Sequence, residues 1–204
     1  MGRVIASAST TLDGFIAYTD HTVGPIFDWY DNGTTEVPTA IDGWSMHMTA
    51  ESAAYWRAWT ADLGALLVGR TLFDVTDGWK GMHPLGVPVV VLTHTPPVDW
   101  HYPGEENFTF ITTGIADAVA AAKEIAGERT VGAAAGTIAR QCLEAGLLDA
   151  VAIDLVPVVL GEGRPYFGAF SDGRTRLFSN PVTCVQGDRA THLVFDVVGV
   201  AEGG

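Results

Sequence analysis

The chain has 204 residues, 48% of them hydrophobic, and a formal net charge of -13. That length buries a substantial core within one domain, and 24 acidic against 11 basic residues, with no basic run, argue against a nucleic-acid partner. No stretch approaches the roughly 18 apolar residues of a membrane span, and Gly2-Arg3 leads directly into strand-like residues, so a cytoplasmic protein without a membrane anchor is expected.

In chain order, a β-branched apolar run at 4–9 reads as the first strand. Residues 20–48 show no regular period and hold Gly24, Pro25, Gly33, Pro38 and Gly43, which marks a long functional or contact-forming loop. Its rings Phe27, Trp29, Tyr30 and Trp44 suit either a pocket for a flat heterocycle or simple anchoring of the loop. A helix is predicted at 49–61, a strand at 63–68, a helix at 72–77, and strands at 87–92 and 108–111. A helix at 115–126, a strand at 130–133, a helix at 137–145 stopped by Gly146, and a strand at 150–159 follow.

This alternation predicts an α/β fold, a mainly parallel central sheet flanked by helices on both faces. Beyond it, Gly161, Gly163 and Pro165 forbid a helix, and runs at 181–186 and 189–198 around Gly187-Asp188 predict a C-terminal antiparallel hairpin at one edge. The expected domain is residues 1–200, with 201–204 as a flexible tail. Cys142 and Cys184 read as small buried hydrophobes, and the six histidines lack ligand spacing, so no metal is assigned.

Two strand-to-helix junctions carry the chemistry. At the first, Gly69 lets a ligand approach the backbone, Arg70 supplies a forked cation and Thr71 a hydroxyl at a helix start, a set that suits phosphate. The plain alternative is Thr71 as a cap and Arg70 paired with Asp74. At the second, Ala133, Ala134, Ala135 and Gly136 lead into Thr137 and Ile138, so that small side chains bring a pyrophosphate close to the backbone. Gly132 and Gly136 have the wrong spacing for the dinucleotide fingerprint of Rossmann dehydrogenases. Thr93, past the strand at 87–92, is either a hydroxyl for the adenosine side or a strand-end turn residue.

Five segments in order, STTLDGFIA, LLVGRTLFD, VPVVVLTH, AGTIARQCLEAGLLD and IDLVPVVLGEGRPYF, resemble the family of the C-terminal reductase domain of the bifunctional riboflavin-biosynthesis deaminase-reductase and its stand-alone bacterial relatives. The resemblance implies a dihydrofolate reductase-like fold, NADPH as hydride donor and a homodimer. It places Gly69, Arg70 and Thr71 at the adenosine-side phosphate, Thr93 at the next strand end, and Ala135, Gly136, Thr137 and Ile138 at the pyrophosphate. The chain departs from the pattern at Ala135, where the family usually has a second glycine, and at Ala150, usually acidic.

Hydride transfer to C=N or C=O requires a proton source. Asp13, in the loop that the resemblance puts beside the nicotinamide, is the first candidate, and Glu51, in the first turn of the helix at 49–61, the second. Their alternatives are an Asp-Gly turn and helix-dipole compensation after Thr49. Phe15, Ile16 and Trp29 are assigned to the substrate side. The expected protein is an NADPH-dependent reductase of a ribosylaminopyrimidine or pterin-type compound. The rival is a catalytically silent nucleotide-binding or assembly module.

Overall fold

The computed structural model describes residues 2–201. Its elements, in order, are β1 (Val4–Thr10), β2 (Phe15–Ala17), β3 (Thr35–Pro38), β4 (Ser45–Met48), α1 (Ala50–Ala61), β5 (Leu63–Gly69), α2 (Arg70–Val75), β6 (Val89–Leu92) and β7 (Phe108–Ile111). The chain continues through α3 (Ile115–Ala126), β8 (Thr130–Ala134), α4 (Thr137–Glu144), β9 (Ala150–Leu155), β10 (Arg164–Pro165), β11 (Thr175–Phe178), β12 (Thr183–Gln186) and β13 (Thr191–Ala201).

Strands β9-β1-β8-β5-β6-β7 lie side by side and parallel, and β13 adds antiparallel to β9. The sheet is thus mainly parallel, as the alternation of elements predicts. Strand β13 is long enough to pair with β12 through its first half and β11 through its second, so two short strands finish that edge. The hairpin is present, with Gly187 donating its N–H to Ala190 at the turn.

Alternation along the strands separates two cores. Val4 and Ala6 of β1, Val131 and Ala133 of β8, and Val151 of β9 pack against the alanine face of α3 and against Ile138, Ala139 and Cys142 of α4. On the other face Ile5, Ala150 and Ala152 meet Trp59 of α1. Helix α1 starts at Thr49, whose hydroxyl accepts the Ser52 N–H. Helix α4 is followed by Gly146 at φ 67°, the left-handed position that stops it.

Residues 20–48 are more ordered than their sequence predicts. They contain a 3-10 helix, Gly24–Asp31, and the β3–β4 hairpin, and they bury Ile26, Trp29, Val37, Met46 and Met48 against Ala53 and Val156. Spacing irregular in sequence is regular in burial. The helix expected at 72–77 begins at Arg70, ends at Val75, and gives way to a left-handed turn, with Asp77, Gly78, Trp79 and Lys80 at φ 50°, 55°, 47° and 54°. The strand expected to reach residue 159 ends at Leu155, because Pro157 has no N–H to continue a ladder. Cys142 is buried as expected, whereas Cys184 is exposed on edge strand β12. Of the tail expected at 201–204, Ala201 closes β13 and the rest lies outside the described residues.

Candidate active site

At the C-terminal ends of β1, β5, β6 and β8 the sheet opens into a cavity of about 920 Å³. Gly69, Arg70, Thr71, Thr93, Ala135, Gly136, Thr137 and Ile138 all line it. The two junctions touch: a Cβ built on Gly69 would stand 3.4 Å from Ile138 Cγ1. Both therefore face one space.

Arg70 sits at the first position of α2, where its Nε donates to Asp74 Oδ1 at 2.6 Å and its Nη1 to the Thr95 carbonyl at 2.5 Å. Thr93 shapes this corner, accepting the Thr95 N–H and donating its hydroxyl to the Thr95 carbonyl. Gly136 has φ 86° and ψ -137°, a conformation that side chains disfavour, and donates its N–H to the Tyr166 carbonyl at 2.5 Å. Anion donors at this junction therefore come from the next residues. The N–H groups of Thr137 and Ile138, in the first turn of α4, have no partner among the described residues.

The opposite end of the cavity is walled by Tyr30, Trp56 and Trp59 and floored by Ser7, Ser9 and Asp154. Ser9, Asp154 and His192 are direct cross-strand neighbours on β1, β9 and β13. Asp154 Oδ1 lies 2.7 Å from His192 Nδ1, and His192 Nε2 lies 2.9 Å from Ser52 Oγ. Asp154 is 3% exposed, and Ser52 and His192 are fully buried. Burial first, and the Asp154 carboxylate second, push the phenols of Tyr55 and Tyr166 above their ordinary range, and the same two causes raise Tyr30.

The two carboxylates expected to supply a proton are not brought here. Asp13 accepts from the Thr11 hydroxyl at 2.5 Å and from the N–H groups of Leu160 and Gly161 at 3.1 and 2.7 Å. The Thr11 hydroxyl, then the two amides, hold its carboxyl below the usual range. Asp13 ties the first loop to the 160–161 turn as an ionised acceptor, which is the opposite of a proton donor. Glu51 stands exposed in the first turn of α1, facing the helix dipole.

On the substrate side Ile16 lines the cavity, but Phe15 points the other way, as neighbours on a strand must, and packs toward Gly163. Trp29 is fully buried behind the wall, donating Nε1–H to Ser9 Oγ at 2.9 Å and stacking on Tyr30 at 4.2 Å. The ring that reaches the cavity is Tyr30. Two further residues line the cavity: His83, outside the quoted segments, whose Nδ1 accepts the Leu85 N–H and whose ring burial pushes down to about 4, and Arg164, within the last of those segments, held by the Thr19 carbonyl. His83 is delivered by the left-handed turn just before it.

A parallel sheet flanked on both faces by helices, closed by an antiparallel C-terminal hairpin and opened at two adjoining strand-to-helix corners, defines the dihydrofolate reductase-like class of α/β proteins. Within it, the chain belongs to the RibD C-terminal domain family, whose model matches residues 3–179. No curated protein sequence matches. Among solved structures, a protein assigned to riboflavin biosynthesis from Shewanella sp. PV-4 superposes with TM-score 0.67 at 21% identity, over 97% of this chain and 99% of that one. Acinetobacter baumannii RibD superposes with TM-score 0.63 at 15% identity, over 97% of this chain and 58% of that one. A diaminohydroxyphosphoribosylaminopyrimidine deaminase/5-amino-6-(5-phosphoribosylamino)uracil reductase from Thermotoga maritima gives TM-score 0.61 at 14% identity, over 96% and 56%. The chain thus spans little more than half the length of these last two.

Proposed function

We propose that the protein is an NADPH-dependent reductase of a small flat heterocycle, of the ribosylaminopyrimidine or pterin type, acting as a cytoplasmic homodimer. The observation that carries this reading is the meeting of the two junctions in one cavity, with Gly69 against Ile138. The residues fit the cofactor: a guanidinium and a hydroxyl at one corner, two N–H groups without a partner among the described residues and a positive-φ glycine at the other. Membership of a reductase-domain family supports it.

Arg70 and Thr71 would hold the adenosine-side phosphate, and Thr137 and Ile138 the pyrophosphate through their backbone. When bound, NADPH supplies hydride from C4 of its nicotinamide to a C=N or C=O carbon. For Arg70 to take a phosphate, its fork turns from Asp74 toward the stronger anion. The rings of Tyr30 and Trp56 exclude water and leave a slot for a planar ligand. Arg164, beside His21, is placed to meet a negatively charged substituent.

Fluorescence titration with NADPH, followed by cofactor oxidation with a panel of aminopyrimidines and dihydropterins, tests the reading. Saturable binding and turnover are expected; a protein that does not bind NADPH would end it. One observation favours the silent module instead: neither Asp13 nor Glu51 reaches the cavity. Binding without turnover on any substrate would select that module.

A further inference from the structure

Asp154 is a buried carboxylate that holding a dinucleotide does not require. Its Oδ1 is engaged by His192, no hydrogen bond from the described residues reaches Oδ2, and Asp154 lines the cavity. A carboxylate oxygen that opens only onto such a cavity calls for a donor that enters it. No donor to it comes from the described residues: Tyr166 gives its hydroxyl to the carbonyls of Ala6 and Ala152, and Arg164 is held at Thr19.

The imidazole behind it is clamped. Tyr55 stacks on His192 at 4.3 Å and 15°, and Trp29 meets the ring edge-on at 4.9 Å. Ser52 fits against His192 only because Gly187 has no side chain; a Cβ there would stand 2.2 Å from Ser52 Oγ. With Nδ1–H given to Asp154, Nε2 accepts the Ser52 hydroxyl, and the carboxylate cannot swing.

We propose, on the reductase reading above, that Asp154 determines substrate specificity by accepting a ring N–H of a flat nitrogen heterocycle lying along the Tyr30 and Trp56 wall. His192 and Ser52 are positioning residues that fix the accepting oxygen. Ser7, two residues before Ser9 on the same face of β1, offers a hydroxyl without a partner among the described residues to the same ring.

The test is calorimetric titration of the NADPH-loaded protein with an aminouracil and with its analogue methylated on both ring nitrogens. The wild type is expected to prefer the unmethylated compound by about tenfold to a hundredfold. Asp154→Asn keeps an oxygen for His192 but turns the cavity-facing acceptor into a donor; it should erase that preference and leave NADPH affinity unchanged. His192→Gln should weaken only the unmethylated compound, since a merely structural role would weaken both. Equal affinity of the wild type for the two compounds, or none for either, overturns the proposal even if no variant folds. An NADPH titration of the same samples separates the readings: failure to bind NADPH ends the reductase reading, whereas NADPH binding without N–H discrimination ends only the role of Asp154.

Discussion

Arg70 already spends its guanidinium on Asp74 and Thr95, an arrangement that is half exposed and worth little to stability. The same fork offers two parallel donors to a phosphate. Arg70→Ala is therefore expected to weaken NADPH by about tenfold to a hundredfold and NADH hardly at all, with little change in melting temperature, as read by paired fluorescence titrations. Equal losses for both cofactors would remove Arg70 from phosphate binding. Asp13 works differently. Its depressed carboxyl stabilises the fold above the ordinary aspartate range, and that contribution is lost as pH falls through the lowered value. Asp13→Ala should lower the melting temperature at neutral pH, with the gap to the wild type closing in strong acid, while a retained NADPH affinity would mark the defect as one of the 160–161 turn.

Among the elements, the junction before α4 is the most constrained. Gly136 combines a positive φ with a hydrogen bond to Tyr166, so Gly136→Ala should cost about 1–3 kcal/mol by chemical denaturation and weaken NADPH as the first turn of α4 shifts. Trp29 fastens the 24–31 helix to β1 through Ser9; Trp29→Ala should cost about 3–5 kcal/mol, against a much smaller loss for exposed Trp44. What could be read from sequence follows from the range of the interactions. The strands, α1, α3, α4 and both junctions are local patterns, and chain neighbours decide them. Trp29 against Tyr30 was not readable, because which ring of a 3-10 helix faces inward depends on Met46 and Met48, brought by a separate hairpin. Asp154 was harder still. It lies inside the apolar run AVAIDLVPVV; its partner His192 is 38 residues away, and Ser52, which bonds His192 from behind, is 140 residues from His192. The one available signal was an acid amid core strand residues, which must find a partner somewhere.

For the whole molecule, acid sensitivity is the expected signature. His83 is pushed by burial to about 4, against 6.5 for the unperturbed ring, so the unfolded chain binds its proton first. The stability this supports is complete above pH 6.5 and is lost as pH falls toward 4, on the order of 3 kcal/mol. His83→Gln should flatten the denaturation profile across that window; an unchanged slope would mean that the ring titrates normally. The proposed homodimer predicts twice the chain mass by light scattering, and a monomeric mass would refute it. No helix among the described residues is long and apolar enough to cross a membrane.

The rung formed by Ser9, Asp154 and His192 also guards against misassembly. Were β9 to slide by a single position along β1, Ile153 or Leu155 would floor the cavity, and Asp154 would be driven into the apolar layer that holds Ala6, Ala139 and Cys142. An unpaired charge there costs several kcal/mol, enough to forbid a compact but shifted sheet. A polar residue that looks like a burden on the interior thus becomes a checkpoint: chains that pass it have, by the same act, assembled their binding floor.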